Sequence, residues 1–452
     1  MVMRSLDETK KIIDSVSDSF CAAKWYNATI WLSNGRTASC HHPIAHSIPI
    51  DAIQKDASAL HNTEYKKEQR KLMISGERPD ECSYCWRVED NNDPTIFSDR
   101  IYKSHIYSIE DTMKLKDLPY SENIDPKTLE ISFDNLCNLS CTYCNPEFSS
   151  TWSTDIKSNG IYENLLTPGG STYTHSSEYT LPLNSKEENI YIEKFFEWYN
   201  SSLKDGLQEL RVTGGEPSRS PHFWRLLEQC TDAKFDFAVN SNLIMSEARL
   251  NLLINAAGRF KKFDLYTSCE SYGKHAEFVR HGLKYDVWKN NLKSFVSNAK
   301  FNSVHIMMTI SALSIWTIVP FMEDVISLRK ELGNKKLGSL SLNILRFPSF
   351  QSINVISEPY KIQLASDLEK FAKEQEDMLS ESEINQILRV ASYLRNVDKS
   401  YEDTDTVDNK INDFVNFVQQ YSTRRSMILE EYLPNTCIQW FNSLKKKDFS
   451  NG

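Results

Sequence analysis

Between residues 128 and 345, short β-rich runs alternate with helical patterns, and this alternation restricts the fold more than any other feature of the chain. The runs are TLEISF (128–133), LQELRVT (207–213), KFDFAVN (234–240), KFDLYTS (262–268), SVHIMMTI (303–310) and GSLSLNIL (338–345). Helical patterns separate most of them: IYIEKFFEWYNSSL, then 221–231, 246–257, 287–299 and 318–332. In SEARLNLLINAAG, Ser246 is placed as a cap, Leu250, Leu253 and Ile254 share a stripe, and Gly258 is a stop. Six strands alternating with helices predict an α/β fold with a parallel sheet and right-handed crossovers, open or partly closed like a TIM barrel. In such sheets, reactive groups belong at the C-terminal ends of strands.

Three segments fall outside this pattern. Residues 1–127 carry Cys21, Cys40, Cys82 and Cys85 and read as a separate small unit. Residues 145–187 are polar and rich in Ser and Thr; a loop that long is usually a lid, a binding loop or disorder. The C-terminal region, 346–452, reads as helices broken by the acidic linker DKSYEDTDTVDN. The expected boundaries are therefore 1–127, 128–345 and 346–452.

With 452 residues the chain can bury a large core and hold more than one unit. Its net charge of −9 argues against broad electrostatic binding to nucleic acid, though a local basic groove is compatible with it. The start, MVMRSLDETKKIIDSVSDSF, has no apolar core of a signal peptide. The most apolar run, 306–322, is short for a membrane span and contains Thr309, Ser311, Ser314, Thr317 and Pro320. It reads as a buried strand, a loop and a helix start. A soluble, cytoplasmic protein is expected, with no membrane partner. Ten cysteines are too few and too uneven for a disulfide scaffold, so the clusters point to metal ligation or redox work. Cys230 sits at helical spacing from apolar neighbours and reads as a buried hydrophobe.

The stretch CNLSCTYC places Cys137, Cys141 and Cys144 directly after the first strand, spaced C-x3-C-x2-C. A tight loop of this kind can bring thiolates to three irons of a cubane cluster, leaving the fourth iron for an external ligand. A zinc site borrowing a distant fourth ligand fits the spacing equally well. The second strand ends in RVTGGEP (211–217). Together, on these strands and in this order, the two motifs resemble the signature of radical S-adenosylmethionine enzymes. The resemblance covers about 128–345 and implies a partial (β/α)6 barrel. It also implies a [4Fe–4S] cluster whose open iron is chelated by S-adenosylmethionine. Reductive cleavage of that molecule would give a 5′-deoxyadenosyl radical that abstracts a substrate hydrogen, using a low-potential electron donor.

The same resemblance assigns expected roles to individual residues. Gly214 and Gly215 would let the backbone approach the methionyl ammonium group. Glu216 would orient that group, or simply bond its own loop; an isolated GGEP would be a turn. Tyr143 would lie beside adenine or pack within the cysteine loop. VNSNL (239–243) and YTSCES (266–271) end the third and fourth strands. Asn240, Ser241, Asn242, Ser268 and Glu270 would contact the ribose hydroxyls and the methionine carboxylate, with helix caps as the plainer alternative. Arg280 would pair with that carboxylate or lie on the surface. Cys269 reads as core, because strand alternation turns it away from Ser268.

RPDECSYCW supplies Cys82 and Cys85, while FCAAKW and ASCHHP add Cys21 and Cys40. Four thiolates can hold an auxiliary iron–sulfur cluster or a structural zinc. This region resembles the twitch or SPASM-like members of the superfamily, although their auxiliary domains commonly follow the barrel and their longer cysteine series is missing here. His41, His42 or His46 can replace one cysteine, and Cys437 is another candidate ligand. The plainer alternative is that Cys21 and Cys40 are only buried.

The expected function is radical S-adenosylmethionine chemistry on a peptide or protein side chain. Radical modification of RNA or a small metabolite is the alternative within enzymes. A non-catalytic zinc or iron–sulfur binding protein on a degenerate barrel is the alternative outside them. No residue stands out as a catalytic acid or base.

Overall fold

A computed structural model of the chain describes residues 4–91, 93, 96–174, 189–333, 337–396 and 405–445. Residues 175–187 of the long insert and 398–404 of the acidic linker lie outside the described residues. The strands are β1 (Asn27–Trp31), β2 (Arg36–Ala38), β3 (His46–Ser47), β4 (Thr128–Ser132), β5 (Ser140–Cys141), β6 (Glu209–Thr213), β7 (Ala233–Ser241), β8 (Phe260–Ser268), β9 (Arg280–His281), β10 (Ser303–Ile310) and β11 (Leu337–Ile344). The six strands expected between 128 and 345 are present as β4, β6, β7, β8, β10 and β11. Helices Ile190–Trp198, Pro221–Gln229, Glu247–Ala257, Tyr285–Asn298 and Ile318–Leu332 alternate with them. The fold is mixed α/β with largely parallel strand pairing.

The chain packs as two compact units. The first comprises the described residues of Met1–Asp134, Pro182–Gly214 and Glu228–Ala238; the second comprises those of Asn135–Leu181, Gly215–Leu227 and Val239–Gly452. These units divide the chain differently from the boundaries at 127 and 345. The reason is hydrogen bonding: β1 pairs with β4 in parallel along five residues, from Asn27 opposite Thr128 to Trp31 opposite Ser132. The N-terminal segment is thereby built into the strand ladder.

In the first unit, β4 also pairs with β6 in parallel, while β2 and β3 continue the ladder beyond β1 antiparallel. Alternation gives this ladder two unlike faces. Ala28, Ile30, Leu129, Ile131, Leu210 and Val212 are buried on one. Thr29, Trp31, Glu130, Glu209 and Arg211 are half-buried on the other and line a cavity of about 520 Å³. The N-terminal helices close a second core around Phe20, Trp25, Trp86, Ile101 and Tyr107, which also takes in Cys21, Cys82 and Cys85.

In the second unit, β10 pairs in parallel with β8 and with β11. Val304, Ile306, Met308 and Ile310 alternate inward, and the run after them forms the 3-10 turn Ser314–Thr317 and the helix Ile318–Leu332. That matches a strand, loop and helix start. Among the described residues no helix is long and apolar enough to cross a membrane. The C-terminal region is helical, with Glu358–Glu374, Glu381–Arg395, Val407–Arg424 and Asn435–Lys445. The helix Glu381–Arg395 runs along β11. Glu383 accepts from Leu340 N (2.8 Å), Gln386 from Leu342 N (2.9 Å), and Arg389 donates to Leu342 O (2.7 Å).

Candidate functional site

Cys137, Cys141 and Cys144 lie in one loop whose backbone is held almost carbonyl by carbonyl. Ser150 and Thr151 donate to Cys137 O, and Ser149 Oγ to Leu139 O (2.7 Å). Tyr421 Oη donates to Ser140 O (2.6 Å) and Trp152 Nε1 to Cys141 O (2.9 Å). Gln351 Nε2 donates to Thr142 O (2.8 Å), and Tyr173 Oη to Cys144 O (2.9 Å). A buried carbonyl left unpaired would be costly, so each of these side chains fixes the loop as well as filling space. Trp152 and Tyr173 belong to the 145–187 insert, and Gln351 and Tyr421 to the C-terminal region. The described part of the insert, for which a lid, a binding loop or disorder was expected, contains the helix Ser150–Asn159 and braces the cysteine loop.

Burial and neighbouring charge hold all three thiols in their protonated form. Burial and the neighbouring Cys141 push Cys137 up to about 12, and burial with both other thiols raises Cys144 further. Burial also raises Cys141, against the opposing pull of Arg280. Thiols this reluctant to ionise need a strongly cationic partner to become ligands. Among the described residues, the group of three His, Cys, Asp or Glu ligand atoms lying mutually within 4.8 Å is that of His41, His42 and Asp99. The sulfurs of Cys137, Cys141 and Cys144 do not form such a group.

Tyr143, Glu270 and Arg280 come together beside Cys141. Arg280 is buried and gives Nε and Nη2 to the Glu270 carboxylate, at 3.0 and 2.6 Å. Its Nη1 lies 3.7 Å from Cys141 Sγ, and its guanidinium stands 5.4 Å from the Tyr143 ring centre. Tyr143 Oη (3.3 Å) and Thr309 N (3.4 Å) also donate to Glu270. Arg280 is therefore not a surface residue, and its partner is Glu270. Cys269 is fully buried, as alternation implied.

Glu216 is occupied by its own surroundings. It accepts from Ser218 N (3.1 Å), Ser241 Oγ (2.8 Å) and Asn242 N (2.6 Å), while its own N donates to Leu136 O (2.7 Å). Burial raises its pKa despite these donors. Asn242 bonds Asn138 Oδ1 (3.0 Å) and caps Ile244 N (2.9 Å). Asn240 Oδ1, in contrast, is buried without a hydrogen-bond partner, and Ser268 closes β8 opposite Met307. The glycines answer to packing. Gly214 has φ +127°, and a Cβ there would lie 2.7 Å from Ser132 Oγ. At Gly215 it would lie 2.5 Å from Leu136 O.

The first unit gathers Cys21, Cys40, Cys82 and Cys85 around one small cavity, with Lys24 and Arg100 among its other walls. Burial and neighbouring thiols push Cys82 and Cys85 up to about 12. Burial opposes the charge on Lys24, yet Cys82 and its ion-pair partner Glu81 hold its pKa above the ordinary value. Four thiols beside two cations fit an anionic cluster. His41 and His42 do not line this cavity, His46 bonds Thr63 (2.8 Å), and Cys437 is buried in the helix Asn435–Lys445 of the second unit. Cys230 is buried and contacts Tyr199 Oη (3.0 Å).

No protein-family model and no curated protein matches the chain. Among solved structures, it is similar to Streptococcus suis SuiB bound to S-adenosylmethionine, at 16% identity and a TM-score of 0.34 over 69% of this chain and 60% of that one. For SuiB bound to precursor peptide SuiA the values are 13%, 0.32, 71% and 62%. The chain thus spans about 60% of the first of these structures. Scores of this size leave fold and activity to be read from the chain's own strands and side chains.

Proposed function

We propose that this chain is a radical S-adenosylmethionine enzyme acting on a peptide or protein side chain. The observation that carries the reading is the cysteine loop itself: three thiols spaced C-x3-C-x2-C on a backbone tied down by Ser149, Trp152, Tyr173, Gln351 and Tyr421. Cys137, Cys141 and Cys144 would hold a [4Fe–4S] cluster. When bound with S-adenosylmethionine, such a cluster supplies the electron that breaks a carbon–sulfur bond and so the radical that takes a substrate hydrogen.

The chain's own residues have separable parts in this reading. Arg280 places positive charge at Cys141 and is itself fixed by Glu270 and Tyr143. Asn240 offers a buried, unspent acceptor, and Ser268 a hydroxyl at a strand end, for the cofactor's polar groups. Glu216 and Asn242 shape the GGEP turn, with Gly214 and Gly215 allowing its close approach to 132–136. Cys21, Cys40, Cys82 and Cys85 would hold an auxiliary iron–sulfur cluster in a twitch-like N-terminal unit. In this reading the six strands of 128–345 form a partial (β/α)6 barrel, with 1–127 and 346–452 as accessory regions. A low-potential electron donor in the cytoplasm completes the system.

The test is anaerobic reconstitution with iron and sulfide, followed by reduction in the presence of S-adenosylmethionine. The expected product is 5′-deoxyadenosine, abolished when Cys137, Cys141 and Cys144 are replaced together by alanine. Reduced protein that holds iron and sulfide but yields none of this product overturns the reading.

A further inference from the structure

We infer that His41, His42 and Asp99 form a site for one divalent transition-metal ion beside the cysteine cavity, with coordination positions left open. The three ligand atoms lie within 4.8 Å of one another. Both imidazoles address the same carboxylate oxygen: His42 Nε2 is 2.8 Å and His41 Nε2 3.3 Å from Asp99 Oδ2. Ligands bound at about 2.0–2.1 Å stand ~2.9 Å apart at a right angle and ~3.3 Å apart at the tetrahedral angle. The two measured separations match those edges, with the ion taking the place of the His42–Asp99 hydrogen bond.

The ligands are held by their own elements. His42 stacks on Tyr84, with ring centres 3.9 Å apart and planes 16° from parallel, and its ring centre is 4.1 Å from that of His41. Asp99 opens the helix Asp99–His105. Two imidazoles and one carboxylate suit zinc, iron(II), cobalt or nickel, and contain no soft sulfur donor. Three protein ligands are the number of an open metal site, whereas structural zinc is closed by four. His41, with 63% of its side chain exposed, and Asp99 also line the cavity of about 520 Å³. Lys103, one turn beyond Asp99, lines that cavity too and adds positive charge. The other charged walls of that cavity are Arg211, Glu130 and Glu209, so its lining is mixed in sign and the open positions face water or an oxygen donor from solution.

Asp99 also lines the cavity of Cys21, Cys40, Cys82 and Cys85, so the two sites are neighbours, and zinc K-edge absorption spectroscopy tells them apart. Full-length protein, reconstituted with iron and sulfide, is given one equivalent of zinc. The expected shell holds only nitrogen and oxygen at about 2.0–2.1 Å, with imidazole outer scattering. A sulfur shell at about 2.3 Å would place zinc on the cysteines and overturn the site. Competition against a chromophoric chelator should show at least tenfold weaker zinc binding for His42→Gln and Asp99→Asn. His41→Gln, at an exposed position, guards against a folding artefact and should weaken it likewise. Wild-type protein that takes up no zinc at micromolar concentration, or unchanged affinity in all three variants, rejects the inference.

Discussion

Arg280 spends two nitrogens on Glu270 and turns a third toward the sulfur of Cys141, so one buried ion pair fixes the charge next to a candidate ligand. Charge buried as a pair is tolerated; charge buried alone is not. Replacing Glu270 with Gln should destabilise the fold by about 3–5 kcal/mol, because Arg280 is left buried without its counter-charge. The double variant Glu270→Gln/Arg280→Met should recover part of that loss. Urea denaturation of the wild type, Glu270→Gln, Arg280→Met and the double variant measures the coupling, and simple additivity would contradict it.

Tyr421 reaches Ser140 O from 281 positions away in sequence. Tyr421→Phe keeps the ring among Trp152, Phe278 and Phe417 but removes the hydroxyl donor. A loss of about 1–3 kcal/mol is expected from the unpaired carbonyl, together with less iron retained per chain after reconstitution. A variant matching the wild type in both would show that the loop does not need this tie.

The cysteine thiols make the metal-free chain sensitive to alkali. Cys82, Cys85 and Cys137 sit near 12 when folded, above an ordinary thiol value of about 8.5. Their folded pKa values are raised, so the unfolded chain releases protons first as pH climbs. Stability is fully present below about pH 8.5 and falls from there towards pH 12. Thermal melts of reduced, metal-free protein between pH 7.5 and 10.5 should show this decline. Serine at all three positions should make the decline shallower, the other raised thiols keeping part of it; an equal slope in that variant assigns the effect elsewhere.

Two glycines should respond oppositely to alanine. Gly215→Ala drives a methyl group into Leu136 O and should cost about 1–3 kcal/mol through overpacking. Gly258→Ala, at φ −73° with its nearest contact 3.7 Å away, should be neutral or stabilise by about 0.4–1 kcal/mol. Denaturant midpoints decide, and an unperturbed Gly215→Ala protein would show that the GGEP turn can shift.

The strands were legible because each pairs a short apolar alternation with a polar end, as in SVHIMMTI and KFDLYTS. The cysteine loop was legible from its spacing. Its supports were not, since nothing local to Gln351 or Tyr421 marks a carbonyl more than 200 positions away as its partner. The pairing of NATIW with β4 was missed for a similar reason: five residues after a single helical turn give too little periodicity to announce a parallel neighbour. Glu216 and Arg280 were found as residues, but their partners depend on which strand ends meet, which only the folded chain defines.

The helix beside β11 has a consequence for how an extended chain can bind. A free strand edge offers a row of amides and carbonyls on which another peptide can add itself as a further strand. Along β11 the amides of Leu340 and Leu342 and the carbonyl of Leu342 are already engaged by Glu383, Gln386 and Arg389. Strand addition there would require these side chains to be displaced. An extended segment from another molecule, including a second copy of the chain, would meet those side chains before the β11 backbone at Leu340 and Leu342.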